Sequence, residues 1–551
     1  MSSYSKMSKE DLITEIKRLK KGKKFGLLWE DKPEDVAELC KTKLPVLVDV
    51  EEKAISDGPD DPTNILIEGD NYHALSVLNY THKGKVDVIY IDPPYNTGAK
   101  DWKYNNNYVD INDSYRHSKW LSMMSKRLQL AKNLLKSDGV LICAIDDNEF
   151  YHLGALLEEI FFDFEIHCVT IVHNPRGIQG SNFSYTHEYA YFVFRKGIKV
   201  IGDRKLSENE ISWSNLRNWG SESLRTDARN CFYPVIVKNN KVVGFGDVLE
   251  PEKHPANQTV KKGGQYYVYP IDIKGVERKW RYARQSVEEI KHLLRAKKTD
   301  NGYEIEIGKD FGTVRTVWID SRYDANEYGT KIVKALAPDA SFDFPKSIYN
   351  VFDCIAPILY ERKTALVLDY FAGSGTTGHA VGLLNKKDDG KRGFILCTNN
   401  ENKIAEDVCY PRIKKVIKGH KDYADITGIP AKLKYFRTDF VDADPTDKNK
   451  RKLTEMATEM LCLKEGTFEK ITNKKAFKIY KNTNHYTGII FDQMAIPDFK
   501  EAVAKLKGKF SVYVFSLGDD SFEDEFKDIK QKVKLSPIPE VILRVYRRIF
   551  K

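Results

Sequence analysis

The stretch 365–381, ALVLDYFAGSGTTGHAV, reads as a buried strand ending at Asp369, a glycine-rich turn and the first turns of a helix. The turn Gly373-Ser374-Gly375-Thr376-Thr377-Gly378 has the form GxGxxG. Glycines there let the backbone approach a ligand with no Cβ in the way. A further strand, GFILCTNNE (393–401), follows and ends on Glu401. That is where a dinucleotide-binding sheet carries its ribose-binding carboxylate, about 20 residues past the loop. Alone, this motif implies a nucleoside-like cofactor at a sheet edge and leaves a nicotinamide dehydrogenase open.

Upstream, VDVIYIDPPYNTG (86–98) is a buried strand, Val86 to Ile91, that stops at two prolines. Proline cannot donate to a sheet ladder, so the chain must leave the sheet there. Asp92-Pro93-Pro94-Tyr95 therefore lies at the carboxyl end of a strand, the edge at which open α/β sheets bind ligands. Trp120, Leu121, Met124, Leu128, Ala131, Leu134 and Leu135 mark one face of a helix, and Val140 to Ile145 is the next strand. The turn Asp146-Asp147-Asn148-Glu149 closes it. HCVTIVH (167–173) and EYAYFVFRK (188–196) are spaced to pair antiparallel, with Phe183 in the loop between them.

At 551 residues the chain has room for three to four domains of roughly 150 residues. No apolar run approaches the roughly 18 residues of a membrane span, and MSSYSKMSKEDLITEIKRLKK lacks a signal peptide's apolar centre. Ser8 to Asp11 reads there as a capping box before helical spacing at Leu12, Ile13, Ile16 and Leu19. The eight cysteines form no CxxC pair, which argues against structural zinc and a disulfide framework and for a reducing cytoplasm. The net charge of +9 is compatible with a polyanionic partner. Lys261, Lys262, Lys274, Arg278, Lys279, Arg281 and Arg284 cluster against only Asp272 and Glu277. Tyr266, Tyr267, Tyr269, Trp280 and Tyr282 interleave with them, which suits nucleic acid and equally a solvated face with rings turned inward.

The expected organisation is an N-terminal extension (1–60), a catalytic half (61–200), a target-recognition domain (201–340), a cofactor half (341–430) and a C-terminal α/β module (431–551). The α/β alternation dissolves between about 200 and 340 and resumes with the glycine loop.

Together the two motifs resemble the amino-group DNA methyltransferases, with DPPY before Phe371-Ala372-Gly373-Ser374-Gly375 in the order of the β class. GDN (69–71), SYRHSKWLSMMSKRL (114–128), the DDNE turn, His187-Glu188-Tyr189, FPKS (344–347) and SPIPEVILRVYRRIF (536–550) are similar to modification subunits of type III restriction-modification systems. One departure is Tyr370, where that family more often has proline.

The resemblance implies a permuted three-layer α/β methyltransferase fold with a Rossmann-like sheet and S-adenosylmethionine as cofactor. It implies catalytic roles for Asp92, Pro93, Pro94 and Tyr95. Asp369, Phe371, Gly373, Gly375, Thr376 and Glu401 would hold the cofactor, with Asp70 at its adenine end and Lys346 near the pocket. Arg278, Lys279, Arg281 and Arg284 are candidate DNA contacts. Phe183 is either a second stacking partner for the base or a core residue, and Trp318 is expected in the core. The expected reaction is N6-methylation of adenine in double-stranded DNA, with no metal. Cytosine-N4 methylation and a non-catalytic specificity subunit are the alternatives, while C5 methylation is excluded because no Pro-Cys pair occurs. A homodimer is implied, with the apolar face of the last helix (Val541, Leu543, Val545, Tyr546, Ile549) as its one sequence feature. A separate ATP-dependent restriction subunit and a prokaryotic cytoplasm complete the expectation, since this chain has no GxxxxGK[ST] loop.

Overall fold

The computed structural model describes residues 8–10, 12–13, 29–56, 62–97, 116–179, 182–205, 211–338, 342, 345–420, 428–518, 520 and 522–550. The helical pattern over 12–19 falls largely outside these residues, as do Asp11, Gly98 and Phe344. The chain divides into a main unit, Met1–Val200 with Arg315–Lys551, and an inserted unit, Ile201–Val314.

The main unit is built on a ten-stranded sheet. Its strands are β1 (Lys43–Asp49), β2 (Thr63–Glu68), β3 (Val86–Ile91), β4 (Leu135–Ile145), β5 (Phe164–Val172), β6 (His187–Arg195), β7 (Val317–Ile319), β8 (Leu366–Asp369), β9 (Gly393–Thr398) and β10 (Lys432–Asp442). They lie in the order β1-β10-β2-β9-β8-β3-β4-β6-β5-β7. From β10 to β4 all neighbours are parallel. β6 runs against both β4 and β5, and β1 runs against β10.

Helices α1 (Asn71–Thr81), α2 (Arg116–Lys132) and α3 (Phe150–Ile160) pack together in one layer, and α4 (Ile348–Leu359), α5 (Thr376–Asp388) and α6 (Tyr410–Lys418) form a second. β3 is buried at every position because both faces are covered, as a central parallel strand requires. Ile89 and Ile91 share a core with α1, α2 and α3, and by the alternation of strand side chains Val88 and Tyr90 point to the other face.

This order creates a switch point. β8 continues through α5 to β9 on one side, whereas its neighbour β3 continues through α2 to β4 on the other. The crevice beyond the carboxyl ends of β8 and β3 is where such a sheet holds ligands. Asp369 ends β8 and Asp92 follows β3, so both motifs open onto that crevice.

The segment boundaries shift from the sequence reading in three places. Lys43–Asp49 is an edge strand of the sheet, not part of an extension, and Lys432–Asp442 belongs to the sheet as well. Val317–Ile319 pairs with β5, so 315–340 belongs to the main unit, and Trp318 is buried as expected. Beyond β10 a five-stranded sheet has its own core around Phe477, Phe499 and Val512. The last helix, α7 (Glu540–Ile549), returns to the main core. There Ile542, Leu543 and Tyr546 are buried, and Tyr546 OH donates to Pro45 O on β1. Val541, Val545 and Ile549 pack on the same core, so the apolar face offered for a dimer is covered by the chain itself.

The inserted unit contains a three-stranded and a four-stranded sheet around Tyr233, Val235, Trp280 and Ile305. Trp280 Nε1 donates to Tyr233 O at 2.8 Å.

One buried ion pair ties the first helical layer together. Arg127 on α2 meets Glu34 through two bonds of 2.8 and 2.9 Å, donates to Asn71 Oδ1 and lies 3.3 Å from Asp70. Arg127 and Glu34 are both buried, so losing Arg127 leaves the Glu34 carboxylate without the cation that pairs with it. Arg127→Met should destabilise the chain by about 3–5 kcal/mol, and adding Glu34→Gln should recover part of that loss in thermal melts. Equal melting of the single variant and the wild type would show that the pair contributes nothing.

Candidate active site

The proline loop after β3 is held rigidly. Trp120, fully buried on α2, donates from Nε1 to Pro94 O at 2.7 Å. Tyr95 OH donates to Asp92 Oδ1 at 2.7 Å, with Glu188 Oε2 3.2 Å away. Lys346 Nζ then meets Asp92 Oδ1 at 3.0 Å, Glu188 Oε2 at 2.9 Å and Tyr95 OH, which accounts for all three ammonium donors. Asn350 Nδ2 fixes the other oxygen of Glu188 at 2.6 Å.

Three separate segments thus converge on one cation: the end of β3, the start of β6 and the turn before α4. Burial raises the Asp92 carboxyl above its usual range; Lys346 opposes this and the charge of Glu188 adds to it. Burial would also raise Glu188, but Lys346 prevails and holds it below its usual value. For Lys346 burial works against the charge, and the two carboxylates outweigh it.

At β8 the loop is braced from beneath. Phe371 N donates to Asp369 Oδ1 at 2.9 Å and Thr377 Oγ1 to Asp369 Oδ2 at 2.5 Å. Arg412, fully buried on α6, donates to Ser374 Oγ at 2.9 Å and Thr376 Oγ1 at 2.8 Å. Gly373 and Gly375 adopt φ of +48° and +80°, the left-handed region that side chains resist.

Two cavities open at this edge. The smaller, about 180 Å³, is lined by Asp369, Phe371, Gly373, Thr376 and Thr398 among others. The larger, about 670 Å³, is lined by the DPPY loop, Asp146, His173, Tyr185, Glu188 and Asn350 among others. Asp92, Pro94, Pro345 and Lys346 line both, so the cavities meet at the end of β3.

Several expected residues stand elsewhere. A Cβ on Gly375 would meet Cys409 Sγ at 3.0 Å and Ile413, so this glycine serves packing against α6 and does not line the cavity. Glu401 is exposed in the turn after β9, outside the lining, where Thr398 and Ile404 stand instead. Asp70 caps α1 by accepting from Tyr72 N at 2.7 Å and lies outside the lining too. Lys346 joins the carboxylates rather than serving the cofactor side alone. One face of the Tyr95 ring lies under Lys346 Nζ, 4.6 Å from its centroid, which leaves less of it for stacking. Tyr370, buried in the first core, accepts from Asn71 through its carbonyl and does not reach the cavity.

Phe183 is 77% exposed, which removes the core reading, and Tyr185 two residues on lines the larger cavity. In the inserted unit Arg278 is tied to Asp272 and Ser223, and Arg284 donates to Gly246 O. These two guanidiniums hold loops of their own unit. Arg281 is exposed and Lys279 half-buried. Trp280 and Tyr269 are buried, so the interleaved aromatics turn partly inward.

The sequence reading gave no site role to Glu188, which it quoted only within His187-Glu188-Tyr189, and did not single out Asn350 or Thr398. A glutamate next to the apolar run of β6 was the available signal for the first. Thr398 Oγ1 is buried, lines the smaller cavity and has no hydrogen-bond partner among the described residues.

The sequence matches the N6_N4_Mtase family model, described as DNA methylase, over residues 86–407. It is 31% identical over 402 residues to the type II methyltransferase M.KpnI of Klebsiella pneumoniae, covering 70% of this chain and 90% of that one. It is 29% identical over 384 residues to the type III restriction-modification enzyme EcoPI Mod subunit of Escherichia phage P1, covering 61% of this chain and 58% of that subunit. Among solved structures, the M1.HpyAVI–SAM complex aligns with 63% of this chain and 98% of its own at 13% identity, with a TM-score of 0.29.

The Asp369 carboxyl is pushed up to about 7 by burial, against the bonds from Thr377 and Phe371. Its folded pKa lies above the unfolded value of 3.8, so the folded state holds the proton longer and stability falls as pH rises between those values. Asp369→Asn, measured without ligand, should gain stability over the wild type between pH 5 and 8, on the order of a few kcal/mol. A difference that shrinks with pH would mean that the loop favours the charged form.

Proposed function

The chain belongs to the DNA methylase family, and we propose that it transfers the methyl group of S-adenosylmethionine to the N6 amino group of adenine in double-stranded DNA. We further propose that it is the modification subunit of a restriction-modification system. It spans 58% and 61% of the EcoPI and StyLTI Mod subunits it matches, and 90% of M.KpnI. The observation that carries the reading is the meeting of two cavities at Asp92, one over the glycine loop and one large enough to admit a base.

The smaller cavity suits the cofactor. Its polar lining includes the unpartnered Thr398 hydroxyl, and a Cβ on Gly373 would approach Phe342, another lining residue, to 3.1 Å. Phe371, Gly373, Thr376 and Thr398 would hold it, with Asp369 bracing the loop from below. When bound, S-adenosylmethionine supplies an activated sulfonium methyl.

An adenine amino group is a weak nucleophile because its lone pair is delocalised into the ring. In this reading the Asp92 carboxylate and the Pro93 carbonyl each accept one N6 hydrogen and localise that pair. Lys346 and Tyr95 both engage Asp92 Oδ1, so Oδ2 is the oxygen left for the base. Pro94 O is bound by Trp120, which keeps the loop from turning. A base inside a duplex cannot reach this crevice, so it must be flipped, with the exposed Phe183 as a candidate stacking partner. The inserted unit, with Lys279 and Arg281 among its outward basic groups, selects the target sequence.

The homodimer now rests on the resemblance alone, because α7 packs on its own core. A cytoplasmic setting follows from DNA as substrate. Among the described residues no helix is long and apolar enough to cross a membrane.

Modification-sensitive sequencing of DNA from cells expressing this chain should show N6-methyladenine at one short sequence. Asp92→Ala should lower turnover by about 100- to 1000-fold, the loss typical of one preorganised acceptor. Cofactor affinity by calorimetry should be retained. N4-methylcytosine in place of methyladenine would overturn the base assignment, and near-normal turnover of Asp92→Ala the catalytic one.

A further inference from the structure

A second cluster of chemistry-bearing side chains lies beside the proline loop, and methyl transfer makes no use of it. His117 stands in the first turn of α2, Glu149 directly before α3, and His152 in the first turn of α3. His117 Nδ1 is 2.7 Å from Glu149 Oε1 and His152 Nδ1 is 2.9 Å from Glu149 Oε2. The imidazole centroids are 4.6 Å apart, and one ligand atom from each residue lies within 4.8 Å of the other two. Glu149 is fully buried, while the two imidazoles are about one-third exposed, so the group opens to solvent on the histidine side.

The hydrogen bonds do not close this cluster. Glu149 Oε1 accepts from Asn96 Nδ2 and is in contact with His117. Glu149 Oε2 and His152 Nδ1 are buried and near each other, yet neither has a hydrogen bond of acceptable geometry. A buried carboxylate oxygen and a buried imidazole nitrogen this close and without a hydrogen bond are two polar atoms that a bound cation would satisfy.

We propose that His117, Glu149 and His152 form a site for a divalent transition metal of the zinc type, with solvent in the remaining position. Two imidazole nitrogens and one carboxylate are a ligand set that Zn²⁺ and Co²⁺ take, at roughly 2.0–2.2 Å per bond. Tetrahedral ligands at that reach stand roughly 3.3–3.6 Å apart, so the contacts of 2.7 and 2.9 Å would open by about half an ångström, within reach of two partly exposed side chains. Ligation through His117 Nδ1 moves its proton to Nε2 and releases the bond that Nε2 accepts from Arg116 Nε at 3.2 Å.

The role is structural. Asn96, which donates to Glu149, directly follows the DPPY tetrapeptide and is buried with φ of +57°. A cation on Glu149 pins α2, α3 and the end of the proline loop at one point. No sequence motif announces such a site, because its ligands come from two helices more than thirty positions apart.

The test uses the full chain, stripped with chelator and titrated with Co²⁺ and then with Zn²⁺. One equivalent of Co²⁺ should bind with a visible ligand-field absorption that Zn²⁺ abolishes, and Zn²⁺ should raise the melting temperature. His152→Ala, which removes a partly exposed side chain, should weaken Co²⁺ by more than about tenfold, the least that even an outer partner of a metal ligand contributes. The same variant should lose the Zn²⁺-dependent rise in melting temperature. No saturable Co²⁺ binding by the wild type, or equal binding by wild type and His152→Ala, would overturn the proposal.

Discussion

A single ammonium group held between the buried Glu188 and the partly exposed Asp92 sets the geometry of the candidate active site. Lys346 balances both Asp92 and Glu188 at once, and each lies within 3.0 Å of it. Removing it would leave two neighbouring carboxylates without this cation, one of them buried, and breaking a buried pair costs about 3–5 kcal/mol. The need for that cation explains why β3, β6 and the turn before α4 must close on the same point. The cation also opposes the burial that raises the Asp92 carboxyl and so favours the ionised acceptor.

The sheet supplies the place. Neighbouring strands whose connections leave in opposite directions must open a crevice at their carboxyl ends, and here those strands are β8 and β3. Because β3 precedes β8 in the chain, the half that carries the acceptors comes first and the half that carries the glycine loop comes second. The inserted unit falls between them, in the connection that a permuted sheet must in any case make long. The permutation leaves room for that unit without cutting either motif.

Much of this was legible in the residues because the signals are local. Two prolines end β3 wherever the chain goes next, and glycines at positive φ mark a turn that side chains resist. The antiparallel pair 167–173 and 188–196 was likewise readable from spacing and alternation. What could not be read was direction. Gly375 belongs to a cofactor motif by pattern, yet its missing Cβ faces Cys409 and Ile413. Asp70 and Glu401 satisfy a spacing while lying outside the lining of the cavity. Arg278 and Arg284 look free in a basic run, but their partners sit on distant loops. Glu188 escaped for the same reason, since its cation comes from Lys346, far along the chain. The last helix looked like an interface because its core partner, Pro45 on β1, lies near the opposite end of the sequence.

The central constraint is the tuning of Asp92 by the pair Lys346 and Glu188. The direct measurement is the pH dependence of kcat/KM for methyl transfer in Glu188→Gln. Removing the neighbouring negative charge leaves Lys346 wholly to Asp92, so Asp92 should ionise more readily and the acid limb should move to lower pH. An acid limb that stays in place or moves to higher pH, in a variant that still binds DNA and cofactor, would contradict it.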